Sequence, residues 1–326
     1  MKRALTERAD LFISNRDIFK QTFKLESFYL YPVCAAILTQ RGVKADATHL
    51  LACKAILKER VGVFSNFRST AYLAMIAMLS VADDPHGRLL DSLAVYDALK
   101  AHFMTNSFLP VASMAIAEAV SPAQYETVSA RTKQIYKLLR EAHPFLTSGE
   151  DSVFAALLAL SPLSDEAIAE QTERCYELLK PHFSAGNGVQ SLSHVLALCD
   201  GREEDKCFRA SELYEMLRDR GCKYGKTYEL GTLGILAMLP ERTDVIADNV
   251  AEVDEWLKTQ SGYGFFGVGA RQRLMHAGLI VNAAYTSENS AEMQAASVSS
   301  TIAMIAAQQA AMCAAIAASQ AANAAT

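Results

Sequence analysis

One motif decides the fold of this chain: Cys175-Tyr176-Glu177-Leu178-Leu179-Lys180, in which an apolar residue is followed four positions later by leucine and then by a cation. The tyrosines of its four clearest copies stand at positions 96, 136, 176 and 214, in steps of 40, 40 and 38 residues. Apolar side chains four residues apart share one face of a helix, and a cation suits a helix C-terminus. Degenerate copies at residues 53–58 and 253–258 extend the series.

A second, alanine-rich helix is predicted ahead of each motif, for example at residues 70–79, 153–160 and 231–239. A short acidic or proline-bearing link joins it to the motif helix, and a loop with glycine, serine, asparagine and an aromatic residue leads to the next unit. Two helices in about 40 residues are typical of αα-repeat proteins, in which each unit buries its apolar face only against its neighbours. The sequence therefore predicts an all-α protein of tandem αα-hairpins.

The curvature of the array has two interpretations. Alanine-rich helices approach to about 8 Å and bulkier helices to about 10 Å, which gives a wedge of about 11° per unit. Side-chain size alone therefore favours an open, curved α-solenoid with the alanine-rich helices on its concave side. A closed α/α toroid is the alternative, and it needs additional rotation from helix tilt and loop geometry.

Three segments are predicted along the chain: a helical lead-in at residues 1–24, the repeat array at 25–288, and an alanine-rich C-terminal helix at 289–326. The last segment contains no lysine or arginine and carries one narrow apolar stripe that includes Ile302 and Ile316. Three roles stay open for it: docking on the last repeat, self-association through residues 301–319, or a tail that is frayed or touches a membrane.

Composition restricts the function. The 326 residues carry a net charge of −5, which disfavours a nucleic-acid partner because phosphate-binding proteins are usually basic. The seven cysteines are scattered, as in proteins of a reducing compartment, and the N-terminus lacks the apolar core of a signal peptide. No internal stretch reaches the roughly 18 apolar residues of a membrane span. We therefore expect a cytoplasmic protein without a membrane span.

Motifs for catalysis and for metal or cofactor binding are missing from the sequence. There is no Walker loop, Gly-x-Ser-x-Gly elbow or His-Glu-x-x-His pair. His194, Cys199, Cys207 and Cys222 lack the Cys-x2-Cys spacing of a zinc site. His102, His143 and His182 recur behind the repeat tyrosines and are interpreted as a packing device at helix ends. No catalytic residue, metal or cofactor is predicted, and an enzyme is the less favoured class.

The glycine-rich stretch at residues 262–267 resembles a dinucleotide-binding loop, but it follows a helix where that loop requires a strand. A weaker interpretation is an anion site formed by Gly267, Gly269, Arg271 and Arg273 at the start of the next helix. The alternative is that the glycines only end one helix and turn into the next, with both arginines solvated.

Aromatic residues in the loops ahead of the alanine-rich helices are the most specific feature of the sequence. One interpretation is that each ring covers the core between adjacent units. The other is an aromatic edge that anchors a peptide, protein or small apolar ligand. The candidate residues of this edge are Phe67, Phe108, Tyr224, Tyr263, Phe265 and Phe266.

The tyrosine motifs, the closing segment 263–275 and the alanine-rich end together resemble an uncharacterised bacterial helical family, number four thousand and three among the domains of unknown function. The resemblance covers nearly the whole chain and implies no activity, cofactor or site residue. Two functions remain: an interaction scaffold that binds a partner on its concave face or aromatic edge, and a toroidal enzyme with a pocket at the N-terminal ends of the alanine-rich helices.

Overall fold

The computed structural model describes residues 1–26, 28–184, 186–227, 229–264 and 267–288, and all regular structure in these residues is helical. This confirms the all-α prediction; the segment 289–326 lies outside the described residues. Two short 3-10 helices occur at Asn66–Arg68 and Pro122–Gln124. The α-helices are α1 (Arg3–Thr22), α2 (Leu30–Gln40), α3 (Ala47–Arg60), α4 (Tyr72–Ser80), α5 (Pro85–Lys100), α6 (Leu109–Ala119), α7 (Tyr125–Ala142), α8 (Asp151–Ala159), α9 (Asp165–Phe183), α10 (Asn187–Ala197), α11 (Glu203–Asp219), α12 (Leu230–Ala237), α13 (Thr243–Lys258) and α14 (Ala270–Glu288).

Two kinds of helix alternate along the chain. Every residue of α4 and of α8 is buried, whereas α7 buries only one face. A helix that is apolar on all sides is stable only inside a protein, and an amphipathic helix covers it from one side. The even-numbered helices therefore form an inner layer and the odd-numbered helices an outer layer, as the alanine-rich and tyrosine-motif patterns predict.

The inner helices contact one another in a cyclic order. Helices α2, α4, α6, α8, α10, α12 and α14 each pack against the next, and α14 packs against α2. Outer helix α1 packs against both α2 and α14. Leu5 and Phe12 of α1 accordingly belong to the same hydrophobic cluster as Leu236 and Ile280 of the last helices. The two ends of the helical array meet.

This cyclic order corrects the prediction of an open arc and agrees with the alternative, the closed toroid. The difference in width between alanine-rich and bulkier helices is too small to close the array by itself, but glycine brings some inner helices closer together. A Cβ atom at Gly234 of α12 would lie 2.7 Å from Leu192 of α10, and one at Gly278 of α14 would lie 2.7 Å from Leu236 of α12. Closure also buries inner helices such as α4 and α8, so their concave side offers no open surface.

The connections between helices lie at two opposite edges, because each outer helix and the inner helix after it pack as an antiparallel pair. We call the edge with the outer-to-inner loops the loop edge, which comprises the described residues within 23–29, 61–71, 101–108, 143–150, 184–186, 220–229 and 259–269. We call the other edge the link edge: residues 41–46, 81–84, 120–124, 160–164, 198–202 and 238–242. None of the described helices has the length and apolar content needed to cross a bilayer.

Each repeat tyrosine packs against a ring from the end of the preceding outer helix or from the loop after it. Three of the pairs are edge-on contacts between aromatic rings, a favoured geometry. The pairs and their centroid distances are Tyr96–Phe67 at 5.1 Å, Tyr136–Phe103 at 5.3 Å, Tyr214–Phe183 at 5.0 Å, and the tilted pair Tyr176–His143 at 4.1 Å. The tyrosine motif therefore connects neighbouring outer helices from α3 to α11.

A second repeated device holds the two helices of a pair together at the link edge. An arginine of the outer helix donates hydrogen bonds to carbonyl oxygens in or just after the last turn of its inner partner, where the helix does not supply an N–H partner for every carbonyl. The contacts are Arg8 to Thr39, Arg88 to Ala117, Arg131 to Ala159 and Ser161, and Arg209 to Ala237 and Leu239.

Candidate contact edge and buried polar cluster

Most of the aromatic residues predicted to form a binding edge are buried. Phe67 is fully covered beneath Tyr96, and Phe108 is almost fully covered at the start of α6. The Tyr224 hydroxyl contacts Thr232, and the Tyr263 hydroxyl lies 3.0 Å from a ring nitrogen of His276. These four rings contribute to the core of the ring of helices. Phe265 and Phe266 lie outside the described residues, and the binding role of the six residues stays a prediction.

Other side chains at the same edge project into solvent. Leu25, Phe64, Met104 and Phe145 are exposed by 101%, 102%, 92% and 98%, the highest values among the large hydrophobic side chains of the described residues. They occupy the first four loops of the loop edge, one in each. We call them the tip residues. The aromatic pattern of these loops identifies Phe64 and Phe145, but it does not identify Leu25 and Met104 because neither is aromatic.

The loop edge also carries lysine and arginine side chains at regular positions. Every outer helix ends with lysine or arginine in its last turn, and Lys24, Lys223 and Lys226 of the loops are exposed. Carboxylates near the same helix ends pair with several of these cations: Lys100 with Asp97, Lys180 with Glu177, Arg218 with Glu215, and Lys258 with Glu255. Further acidic residues lie at the link edge, as the N-caps Asp46 and Asp84 and in the first turns of α7, α9, α11 and α13. The link edge is therefore the more acidic of the two, whereas charges of both signs occur at the loop edge.

The fourth helix pair breaks the apolar pattern of the loop edge. His143 stands where the neighbouring units have Phe103 and Phe183, and its ring packs on Tyr176. Its Nε2 atom lies 2.8 Å from an Oε2 atom of Glu173, without the alignment of a hydrogen bond. Of the three recurring histidines, only this one packs on a repeat tyrosine among the ring contacts of the described residues.

Two ionisable groups lie buried next to this position. The Nδ1 atom of His194, in α10, lies 3.5 Å from an Oδ1 atom of Asp151, at the start of α8. Burial, with a smaller contribution from nearby His143, lowers the pKa of His194 to about 3. Burial raises the pKa of Asp151 to about 7. A hydrogen bond from the Ser148 N–H favours the carboxylate and opposes this increase. His194 is therefore neutral at pH 7, and Asp151 is close to half protonated.

A cavity of about 20 Å³ lies between α7, α9 and α10, beside this cluster. His143, Glu173, Ser193 and His194 supply its polar lining. The His143 Nε2, Glu173 Oε2 and His194 Nδ1 atoms are buried without a hydrogen-bond partner. A cavity of this size holds about one water molecule, and these atoms are suitable partners for it. The arrangement can exchange a proton with a water, and no group of three possible metal ligands occurs among the described residues.

Comparison with known proteins identifies the family. Residues 17–310 match the family described as protein of unknown function (DUF4003). The chain belongs to this family. It is also 29% identical over 109 residues to an uncharacterized protein, YeaA, of Bacillus subtilis (strain 168), a match that spans 33% of this chain and 32% of that protein. No solved structure gives a significant match.

The DUF4003 match confirms the resemblance stated from the sequence. It begins within α1 at Asp17 and includes every later helix of the ring, so the loop edge and the buried polar cluster both lie almost wholly inside it. The chain spans about a third of the length of the curated relative.

The glycine-rich segment of this DUF4003 chain forms a tight turn. The Val268 N–H donates to the Gly262 carbonyl and the Gly267 N–H to the Gly264 carbonyl, both at 2.9 Å. A Cβ atom at Gly267 would lie 2.0 Å from the Gly262 oxygen, so this close approach requires glycine. The glycines thus have a structural role at the end of α13.

The two arginines of the predicted anion site differ in their surroundings. The Arg273 guanidinium contacts both carboxylate oxygens of buried Asp254, at 2.8 and 3.2 Å, so its charge is already balanced. Arg271 is exposed, and the Gly269 carbonyl accepts the first helical hydrogen bond, from the Arg273 N–H. Anion binding by Gly267, Gly269, Arg271 and Arg273 stays a prediction.

A cluster of buried side chains lies where the first and last helices of the DUF4003 ring pack together. The Arg16 guanidinium of α1 lies 5.3 Å from the centre of the Tyr263 ring and pairs with Asp17. Burial, with Arg16 nearby, lowers the pKa of His276 in α14 to about 3. His276 is therefore a neutral partner for the Tyr263 hydroxyl, and the cluster stabilises the contact between α1 and α14.

Proposed function

We propose that this DUF4003 protein is a non-catalytic binding protein that contacts its partner through the loop edge. The observation that carries this proposal is the placement of the four tip residues in four successive loops of one edge. Single exposed apolar side chains are common on protein surfaces, but several of them on one side of a molecule mark an interaction surface.

The other exposed apolar side chains are a useful comparison. Phe208 of α11 is 69% exposed, and Leu51 and Leu90 are about half exposed, but they lie on separate outer helices. Because the tip residues recur at equivalent places in successive units, one partner can contact them together. Other rings of the same loops, such as Phe67 and Phe108, are buried and anchor these loops to the core.

The interior of the protein favours a binding function over a catalytic one. The cavity beside His194 has room for about one water, which is too small for an organic substrate. The thiols of Cys34, Cys53 and Cys175 are free and buried, as small apolar side chains in a reducing compartment are. A cytoplasmic location is therefore part of the proposal.

Site-specific photocrosslinking in the native cell tests the contact edge. A benzophenone side chain replaces Phe64 or Phe145, and a matched control carries it at Phe208, which is also an exposed phenylalanine. We expect discrete adducts from positions 64 and 145 and none from position 208. Absence of adducts at both edge positions, or equal adducts at the control, would remove the proposal.

Self-association through residues 301–319 remains a second proposed contact, although these residues lie outside those described. Sedimentation of the full chain and of a chain that ends at residue 288 tests it. We expect only the full chain to form a larger species; equal sedimentation coefficients, after correction for mass, would contradict self-association.

A toroidal enzyme is the second candidate function, favoured by ring closure and by the position of Asp151. This carboxyl starts inner helix α8, next to Glu150, and a pKa of about 7 suits a general acid or base at neutral pH. A thermal-shift screen against a metabolite library tests it. A compound that stabilises the wild type but not Asp151→Asn would support catalysis at this end of the ring, and no such compound would count against it.

A further inference from the structure

We infer that the partner of the loop edge is the surface of a membrane that contains anionic lipid, into which the tip residues insert. This inference rests on the proposed function and names the class of partner. It concerns attachment from one side, by side chains at loop ends, and requires no helix that crosses the bilayer.

The shape of the edge favours a lipid surface over a peptide. Leu25, Phe64, Met104 and Phe145 are almost completely exposed, so no neighbouring side chains form a pocket around them. A peptide or protein partner gains most of its binding energy where an apolar anchor fills a pocket. Separate apolar side chains that project from one edge instead suit a fluid medium, which closes around each of them.

The arrangement of the tips also fits a surface. All outer helices run towards the loop edge, so the loops that follow them lie on one side of the closed ring. Phe28 and Val63, in the first two of these loops, are also more than half exposed. An apolar medium that contacts one of these loops is therefore close to the others.

Charge supplies the second argument. Lys24 precedes Leu25, and the exposed Lys58 lies in the last turn of α3, a few residues before Phe64. Lysine and arginine next to inserting side chains gain attraction from anionic headgroups. Glu26 and Glu59 offset part of this charge.

The opposite edge makes the attraction directional. Helix α11 begins with Glu203, Glu204 and Asp205, and α9 begins with Asp165 and Glu166, all at the link edge. The chain as a whole carries a net charge of −5, and these acidic residues repel an anionic surface, which therefore approaches the loop edge more readily than the link edge. Charge and apolar exposure thus select the same side of the molecule.

Vesicle co-sedimentation tests the inference on the full chain. One set of vesicles contains phosphatidylcholine alone and the other also contains about 30% phosphatidylglycerol, a range in which basic patches respond to anionic lipid. We expect the protein to pellet with the anionic vesicles and to be released by salt, because screening weakens the attraction. No pelleting with anionic vesicles would overturn the inference.

Paired variants assign the binding to the edge. Phe64→Ser with Phe145→Ser is expected to weaken vesicle binding by about tenfold or more, since each ring loses apolar burial. Phe208→Ser is the matched control and should bind as the wild type does. Lys24→Glu should weaken binding more than Lys44→Glu, which changes an exposed lysine at the link edge. Circular dichroism confirms that the variants fold; equal binding of all variants would contradict the inference.

Tryptophan emission reports insertion directly, because the chain has a single tryptophan, Trp256. In a Trp256→Phe background, Phe145→Trp is expected to shift its emission to the blue on addition of anionic vesicles. Phe208→Trp should not shift. An unshifted emission from position 145 would show that the tip stays in water and would overturn the inference.

The two proposals fail in different ways. If photocrosslinks at positions 64 and 145 form with a protein while vesicle binding is absent, the loop edge is a protein-binding surface and the membrane inference is wrong. If neither position forms an adduct with protein or lipid in cells, the proposed function itself is wrong, whatever the vesicles show.

Discussion

Phe64 and Phe67 stand three residues apart in one loop and have opposite environments. The Ser65 hydroxyl accepts a hydrogen bond from the Phe67 N–H and begins the short 3-10 helix at Asn66–Arg68. That turn directs Phe67 beneath Tyr96 and leaves Phe64 in solvent. The sequence pattern identifies the loop as aromatic, but which ring is buried depends on this local turn.

Substitution of the two rings separates core packing from surface exposure. Phe67→Ala leaves a cavity under Tyr96 and is expected to lower the free energy of unfolding by about 3–5 kcal/mol. Phe64→Ala removes no packing in the free protein and should change it by less than about 0.5 kcal/mol. Urea denaturation of both variants measures the difference; similar losses would show that both rings are buried in solution.

Asp151 is expected to make stability depend on pH. The native carboxyl keeps its proton up to pH about 7, whereas the unfolded carboxyl loses it near its ordinary pKa of about 4. The native state therefore binds more protons between these values, and stability falls as the pH rises through this window. The difference in unfolding free energy between wild type and Asp151→Asn should fall by about 1.4 kcal/mol per pH unit from pH 5 to 7.

His194 supplies the opposite sign as a control for this titration. Its pKa is lowered to about 3, so the unfolded state binds more protons below its ordinary pKa of about 6.5. The stability that neutral His194 contributes is fully present above a pH of about 6.5 and is lost as the pH falls towards 3. The difference between wild type and His194→Gln should therefore rise from pH 5 to 7. Two flat curves from urea denaturation would contradict the burial of the pair.

At the scale of the helix, periodicity and alanine content predict most of the fold. The inner and outer layers follow from which faces are apolar, and the ends of many helices follow from caps such as Asp46 and Asp84. The arginine contacts at the link edge were not predicted, because Arg131 and the carbonyls it contacts lie about 30 residues apart. Such a contact depends on how two helices pack.

Arg131 is the clearest test of this device. It donates to the carbonyls of Ala159 and Ser161 at 2.8 and 2.7 Å and pairs with Asp165 at 2.8 Å. Arg131→Gln should lower the free energy of unfolding by about 2 kcal/mol or more, because charged hydrogen bonds to otherwise unsatisfied carbonyls are lost. Arg140→Gln, an exposed change on the same helix, should have little effect. Chemical denaturation of the two variants decides whether the contact supports the ring.

The closure of the whole molecule is the least predictable feature from the sequence. The rotation between units adds up over seven helix pairs, so small differences in helix tilt or approach separate an arc from a ring. Gly234 and Gly278 permit close approach, but a glycine inside a helix does not reveal its neighbour from the sequence. The loops of the candidate site were predicted as an edge, whereas the exposure of Leu25 and Met104 depends on loop conformation.

A circular permutant tests closure. Helices α1 and α14 pack together, and the start of α1 and the end of α14 both lie at the link edge, so a flexible linker of about ten residues, reaching roughly 17 Å, is suited to join residue 288 to Met1. New ends between Gly201 and Arg202 fall in an exposed link. Since every helix keeps its neighbours in a ring, the permutant should match the unpermuted chain ending at residue 288 in helicity and within about 1–2 kcal/mol in stability.

A second permutant, opened between Leu192 and Ser193 inside buried helix α10, is the matched control and should fail to fold, because the cut exposes an inner helix. Circular dichroism and urea denaturation compare the three chains. In an open array the linker would have to cross the gap between distant ends and would pull the terminal units out of place. Unfolding of the permutant opened at 201 and 202, with the unpermuted chain stable, would therefore show that the helical array is not closed.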